Sequence, residues 1–332
     1  MTPMFSRASR RLLLAALLAT SLSAAVSGHA GEVGTSPWGP DDEIGRPNLI
    51  TPESRAAILS RADGRRAYDL ATDYYIGMPS WQDAGDPHYQ FWMTHTPRGT
   101  GIDDPMGVGD ALNASTSYTG TAFSMYSHTG THIDALNHFG LHGRIWNGFR
   151  ADEHLGDRGW RKAGIEKFPN LIARGVLIDV AAAQGVDMLP DQYRITRADL
   201  QAALARQKVK LQRGDVVLIR TGRMRLFNQP DAYMANPPGM SLDAARFLVE
   251  DGGAMVVGAD NLSFETFPSQ EPDAYVPLHT YLLAEQGVPI IELIALDELS
   301  RDQVYEFAFI GGPLKIRGGD AAPLRPVALP LR

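Results

Sequence analysis

The chain contains no cysteine. That absence excludes disulfides, thiolate metal sites and a cysteine nucleophile together. Net positive charge is also lacking. Thirty-one Lys and Arg against 38 Asp and Glu leave a formal charge of −7. An acidic balance does not suit DNA, RNA or an anionic membrane surface. No internal repeat occurs at a solenoid period. No polar linker divides the chain after its first thirty residues, which predicts one domain over 31–332.

What is present begins with an export pattern. MTPMFSRASRR is basic and free of acids, LLLAALLATSLSAAV is apolar, and SGHA ends in small residues around Ala30. This order of regions reads as a signal peptide over 1–30, and its apolar run is short for a membrane anchor. Arg10-Arg11 followed by leucines resembles a twin-arginine signal. The expectation is an exported, periplasmic or secreted protein with no membrane attachment after cleavage. Removal of the segment takes three arginines and no acid, so the mature chain is more acidic still.

The rest reads as α/β. Residues 31–66 form an irregular arm followed by a helix that opens at Thr51-Pro52. Arg65 to Asp73 reads as a strand, and 99–120 as a long surface loop. RGVLIDV (174–180), GDVVLIRT (214–221), AMVVGA (254–259) and VPIIEL (288–293) are short runs rich in Val and Ile, as buried strands are. Helix signals lie between them: Thr196 ahead of LQAALARQ, Ser241 opening SLDAARFLVED, and Leu278 to Gln286. Alternating strands and helices predict a largely parallel sheet in the C-terminal half.

Three of the nine histidines fall within HTGTHIDALNH, residues 128–138. Gly130 argues against a helix there. THIDAL alternates as a strand does, so His132 and Asp134 share one face. A turn at Thr129-Gly130 brings His128 back beside them. Two imidazoles and a carboxylate suit Zn2+, Mn2+ or Fe2+, and three protein ligands leave positions open for water and substrate. His138 lies just beyond, free to move protons. Asp260 and Glu265 follow a strand, where open α/β sheets place ligand groups. Arg220 and the aromatic run Tyr89, Phe91 and Trp92 are further candidates, with ion pairing and core packing as their simpler roles.

SHTGTHIDALNHF resembles the H-x-G-T-H-x-D-x-P-x-H signature of the cyclase family, which includes bacterial kynurenine formamidases and isatin hydrolases. YDLATDYYIGMPSW, GDVVLIRTG, GADNLSFE and PLHTYLLAEQGVPIIELIAL resemble its other blocks, and WGPDDEIGRPNLITPE the arm of its longer members. The resemblance implies a swivelling β/β/α domain with mixed, partly parallel sheets, assembled as a homodimer or homotetramer. It implies that His128, His132 and Asp134 bind a catalytic divalent metal, Mn2+ or Zn2+. His279 and Glu292 would help hold a second ion, which Asp134 would bridge. His138 would be the general acid/base, and Trp81 would line the substrate pocket. The family's proline is Leu136 here, followed by Asn137, and GDRGWRKAGIEKF stands in an insert that short formamidases lack. That insert is expected to be a lid or an oligomer contact.

The expected activity is hydrolysis of a C–N bond in a small amide, formamide, lactam or cyclic imide. A divalent ion moves the pKa of water from about 15.7 towards ~7. Two other readings fit part of the pattern. A non-haem Fe(II) oxygenase would use two histidines and one carboxylate, with His279 as the third ligand to His132 and Asp134. An exported binding protein would keep the pocket without the chemistry.

Overall fold

The computed structural model describes residues 31–269 and 274–332. The export segment expected over 1–30 lies outside them. A nine-stranded mixed sheet organises the chain. Its strands are β1 (Tyr68–Asp69), β2 (His132–Asp134), β3 (Leu171–Asp179), β4 (Val216–Arg220), β5 (Val256–Ala259), β6 (Ile290–Glu292), β7 (Glu306–Gly311), β8 (Ala321–Pro323) and β9 (Val327–Pro330). Their spatial order is β1-β9-β7-β3-β4-β5-β6-β2-β8. The four central strands β3 to β6 run parallel, and both flanks are antiparallel. This is the mixed α/β class that the sequence implies.

The parallel strands coincide with the four Val/Ile runs. Every residue of β4, VVLIR, is buried. Burial on both faces is what parallel strands under helical cover require. Helix Arg197–Gln207 supplies part of that cover. It buries Leu200, Ala203, Leu204 and Gln207, a stripe at helical spacing. Thr196 caps its start in a capping box with Asp199. Gln207 then bonds the sheet directly, accepting from Asp179 N at 3.0 Å and donating to Leu177 O at 2.6 Å. Helix Pro52–Arg61 opens with Thr51 as cap, as its sequence predicts.

The N-terminal arm is pinned by one carboxylate. Asp42 accepts from Ser36 Oγ (2.6 Å), Asn48 Nδ2 (2.7 Å) and Trp146 Nε1 (3.1 Å). Leu136, at the family's proline position, is fully buried and sits close against Gly45 of this arm.

Three expectations change. The strand expected over 65–73 is only Tyr68–Asp69. Residues 99–120 are not a plain loop: helices Pro97–Asp103 and Asp110–Ser115 cap an antiparallel hairpin of Gln90–His95 and Gly120–Ser124. Thr96 caps the first helix ahead of Pro97, a start signal that outweighs the following glycines. The insert over 156–168 is not a free lid, because Ala163, Ile165 and Phe168 are buried in the main core.

The strand ends beside β4 and β5 are held by buried carboxylates. Asp260 accepts from Thr221 N (2.9 Å), Thr221 Oγ1 (2.6 Å) and Gly222 N (2.8 Å). Asp260→Ala leaves buried donors without an acceptor, at about 1–3 kcal/mol each. The expected result is a loss of roughly 2–4 kcal/mol in urea unfolding. A loss under about 1 kcal/mol would show that water replaces the carboxylate.

Candidate active site

The site is built where the sheet turns antiparallel. β2 lies between β6 and β8. The register sets Glu292 opposite His132, and Ala321 opposite Asp134. Cross-strand partners share a face, so Glu292 joins the face that His132 and Asp134 already occupy. The preceding turn depends on Gly130 for two reasons. Its φ is +65°, and a Cβ there would stand 2.5 Å from the Tyr74 ring. Tyr74 donates its hydroxyl to Thr129 O at 2.9 Å and so closes over the turn. The turn brings His128 Nδ1 to 2.8 Å from Asp134 Oδ1.

Three groups of donors result; two share Asp134, and the third, His128, His138 and Asp320, is more open. Of the two that share it, His128, His132 and Asp134 form one; Asp134, His279 and Glu292 form the other. His132 Nε2 lies 3.4 Å from Asp134 Oδ1 and 3.5 Å from Glu292 Oε2. His279 Nε2 lies 3.9 Å from Asp134 Oδ2 and 3.5 Å from Glu292 Oε1. All five residues are buried. His132 Nε2, both Asp134 oxygens and Glu292 Oε1 are buried without a hydrogen-bond partner. Orphaned polar atoms of this kind cost free energy unless something satisfies them. Two carboxylates and three imidazoles converging at 3–4 Å are the donor set of a divalent cation. The residues present therefore fit one or two such ions.

Outer partners fix how these side chains point. His132 Nδ1 is 2.8 Å from Gly130 O, and His279 Nδ1 is 2.7 Å from Glu265 Oε1. Both oxygens accept, so each Nδ1 carries a proton, and in the neutral ring each Nε2 has its lone pair turned inward. Glu265, a candidate only from its position after β5, is thus the anchor of His279. It also accepts from His279 N at 3.2 Å.

Charge follows from burial and neighbours. Burial works against protonation of His128 and His279, but the carboxylates outweigh it. Asp134 and Asp320 lift His128 to about 9, and Glu265 and Glu292 lift His279 to about 10. Burial opposes charge on Asp134 as well, yet the histidines hold its carboxyl well below its ordinary range. His138 shifts the other way. Burial and then the His128 charge lower it, which favours neutral imidazole.

His138 returns towards the cluster through a turn closed by His138 N donating to Ala135 O at 3.1 Å. Its ring centroid is 4.0 Å from that of His128 and 6.1 Å from that of His279. Trp81 sits in a separate apolar cluster with Met78, Tyr233, Leu262 and Leu293. Its ring meets Phe267 edge-on at 6.1 Å. Leu293 follows Glu292 directly, so this cluster adjoins the donor face. Arg220 and Asp260 serve the scaffold instead. Arg220 pairs with Asp179 (3.1 Å) and Asp297 (2.7 Å). Asp320 carries no sequence signal, yet its Oδ2 lies 3.7 Å from His128 Nε2 and 3.8 Å from His138 Nδ1.

The chain is similar to known proteins in sequence and fold. The Cyclase family model, described as "Putative cyclase", matches residues 68–266. A crystal structure described as a novel cyclase is 29% identical, with a TM-score of 0.78, over 90% of this chain and all of that one. Isatin hydrolase A from Ralstonia solanacearum has the same fold at 22% identity and a TM-score of 0.61, over 84% of this chain and 97% of that one. An isatin hydrolase bound to the product analogue thioisatinate aligns at 19% identity and a TM-score of 0.60, over 85% of this chain and all of the other. No curated protein is a significant sequence match.

Proposed function

Because the chain belongs to the cyclase family, whose model covers residues 68–266, we propose that it is a metal-dependent hydrolase of small C–N substrates. The substrate class is a formamide, simple amide, lactam or cyclic imide. The observation that carries this reading is the set of orphaned buried donors around Asp134, with His138 beside them. His128, His132 and Asp134 would hold one divalent cation, and Asp134, His279 and Glu292 a second. When bound, such a cation acidifies water and polarises a carbonyl oxygen.

The chain's own residues supply the rest. Glu265 and Gly130 O keep the imidazoles of His279 and His132 turned inward. His138, held neutral by its burial, accepts the proton of the attacking water. The water oxygen joins the carbonyl carbon, the C–N bond breaks, and His138 returns the proton to the leaving nitrogen. Trp81 and its apolar neighbours are proposed to border the substrate, where an aromatic face suits a planar ring.

The donor count favours this reading over an iron oxygenase. A facial triad has two histidines and one carboxylate. Here Glu292 adds a second carboxylate and His128 a third imidazole on the same face. An exported binder needs no proton carrier beside the ligands. The test is product release from N-formyl-arylamines, isatin-like rings and lactams, with Mn2+ or Zn2+ supplied. Turnover of at least one class is expected, and silence with all of them from metal-loaded protein would sink the reading.

Export and self-association are part of the proposal. The pattern of residues 1–30 supports export, and no helix among the described residues is long and apolar enough to cross a membrane. The hairpin of Gln90–His95 and Gly120–Ser124 supports association with a second copy. Phe91, Trp92, Met93 and Phe123 are exposed on it. A lone two-stranded sheet is marginal in water. The mass and elution volume of the exported form check both: a chain beginning near Gly31 that elutes as a multiple of its own mass is expected.

A further inference from the structure

Each inward-facing histidine has an outer acceptor, and for His128 that acceptor comes from an unexpected part of the chain. His128 Nδ1 faces Asp134, so its Nε2 carries the proton in the ligating form. That Nε2 is buried and has no hydrogen-bond partner. Asp320 Oδ2 stands 3.7 Å from it. The same oxygen stands 3.8 Å from His138 Nδ1.

Asp320 is itself aimed. It ends the turn before β8, and its carbonyl accepts from Ala135 N at 2.8 Å. Its Oδ1 accepts from Ser127 Oγ at 2.9 Å. With Oδ1 tied to the residue before His128, Oδ2 is left between the two imidazoles.

We propose that Asp320 is a positioning residue whose Oδ2 orients both the ligand His128 and the proton carrier His138. Against His128 it fixes the Nε2–H tautomer and leaves Nδ1 to coordinate. Against His138 it holds Nδ1–H and leaves Nε2 to take and return the proton. Both gaps are longer than a hydrogen bond; such contacts often tighten only in the working complex. The His138 half rests on the hydrolase reading, whereas the His128 half concerns metal affinity alone.

The experiment uses the full mature protein and two variants, Asp320→Asn and Asp320→Glu. Mn2+ and Zn2+ affinity is measured by competition with a chromophoric chelator, and kcat and KM separately on the best amide found. For Asp320→Asn, metal affinity and kcat are each expected to fall about 10–100-fold, as loss of an outer partner does. KM should stay within about threefold, because Asp320 does not touch substrate on this proposal. Asp320→Glu should recover much of both losses, since it keeps the carboxylate. Affinity and kcat both within twofold of the unaltered protein would overturn the proposal. Equal losses in the Asn and Glu variants would overturn it too, because the position and not the carboxylate would then matter. A fall in kcat with unchanged affinity would overturn the His128 half. If the unaltered protein hydrolyses none of the amides, the hydrolase reading has failed, and the affinity ratio alone decides the role of Asp320.

Discussion

Asp134→Asn is expected to abolish turnover and metal binding together. Asp134 is the one residue that belongs to both donor groups of the buried face. The exchange keeps its shape but removes the charge that balances three imidazoles. A metal-assisted reaction then loses on the order of 10^3-fold or more in kcat, because acidified water and carbonyl polarisation vanish at once. Chelation of the unaltered protein should do the same, and added Mn2+ or Zn2+ should restore it. Stability offers an independent readout. A cation that binds only the folded chain stabilises it by about 2.7 kcal/mol at a hundredfold excess over Kd. That corresponds to a rise of roughly 5 °C or more in Tm. The rise should appear in the unaltered protein and be absent from Asp134→Asn. The pH dependence has a definite sign. His128 and His279 are raised to about 9 and about 10 without metal, so protons compete for both. Metal affinity should therefore weaken as the pH falls through this range and continue to weaken towards acid. Unchanged Tm and turnover in Asp134→Asn would remove this carboxylate from any metal site.

How much of this could be read beforehand depends on distance along the chain. His128, His132 and Asp134 are local, and two rules suffice for them: strand alternation, and a glycine turn. The parallel core was equally open, because runs such as VVLIR announce strands buried on both faces. Long-range register was not. Nothing in the composition of IIE says that Glu292 pairs across from His132 in an antiparallel step at the end of a parallel array. The family pattern supplied that residue instead. Glu265 illustrates the middle case. Its position after a strand made it a candidate, but only the fold shows its oxygen 2.7 Å from His279 Nδ1. Asp320 had no signal at all. It stands in a glycine-rich turn far along the chain and reaches the site because β8 pairs with β2. The helices within 97–115 are hidden in the sequence for a different reason. Their glycines and aspartates suppress periodicity, and Thr96-Pro97 carried the start signal alone.

His138→Gln separates chemistry from metal binding. His138 stands outside the two groups that share Asp134, and only the more open group of His128, His138 and Asp320 includes it. Glutamine keeps hydrogen-bonding capacity but cannot carry a proton, so kcat should fall about 10^2–10^4-fold, the range for a lost acid/base group. Metal content should remain near that of the unaltered protein. KM should change little if the substrate is held by the cation and the apolar wall rather than by this imidazole. The combination discriminates between rival roles. A metal ligand would lose ion and activity together, as Asp134→Asn is expected to do. A packing residue would lose Tm first. If His138→Gln keeps both metal and turnover, the proton must travel by another group. The acidic groups facing the cluster would then be the ones to examine. Glu292 is a poor choice because the proposed second ion would draw on it. Asp320 is the better one, since it is half exposed and within 4 Å of the imidazole it would replace. The double variant Asp320→Asn with His138→Gln decides that case. Silence only in the double variant identifies Asp320 as the substitute carrier, whereas silence already in His138→Gln assigns the proton to His138.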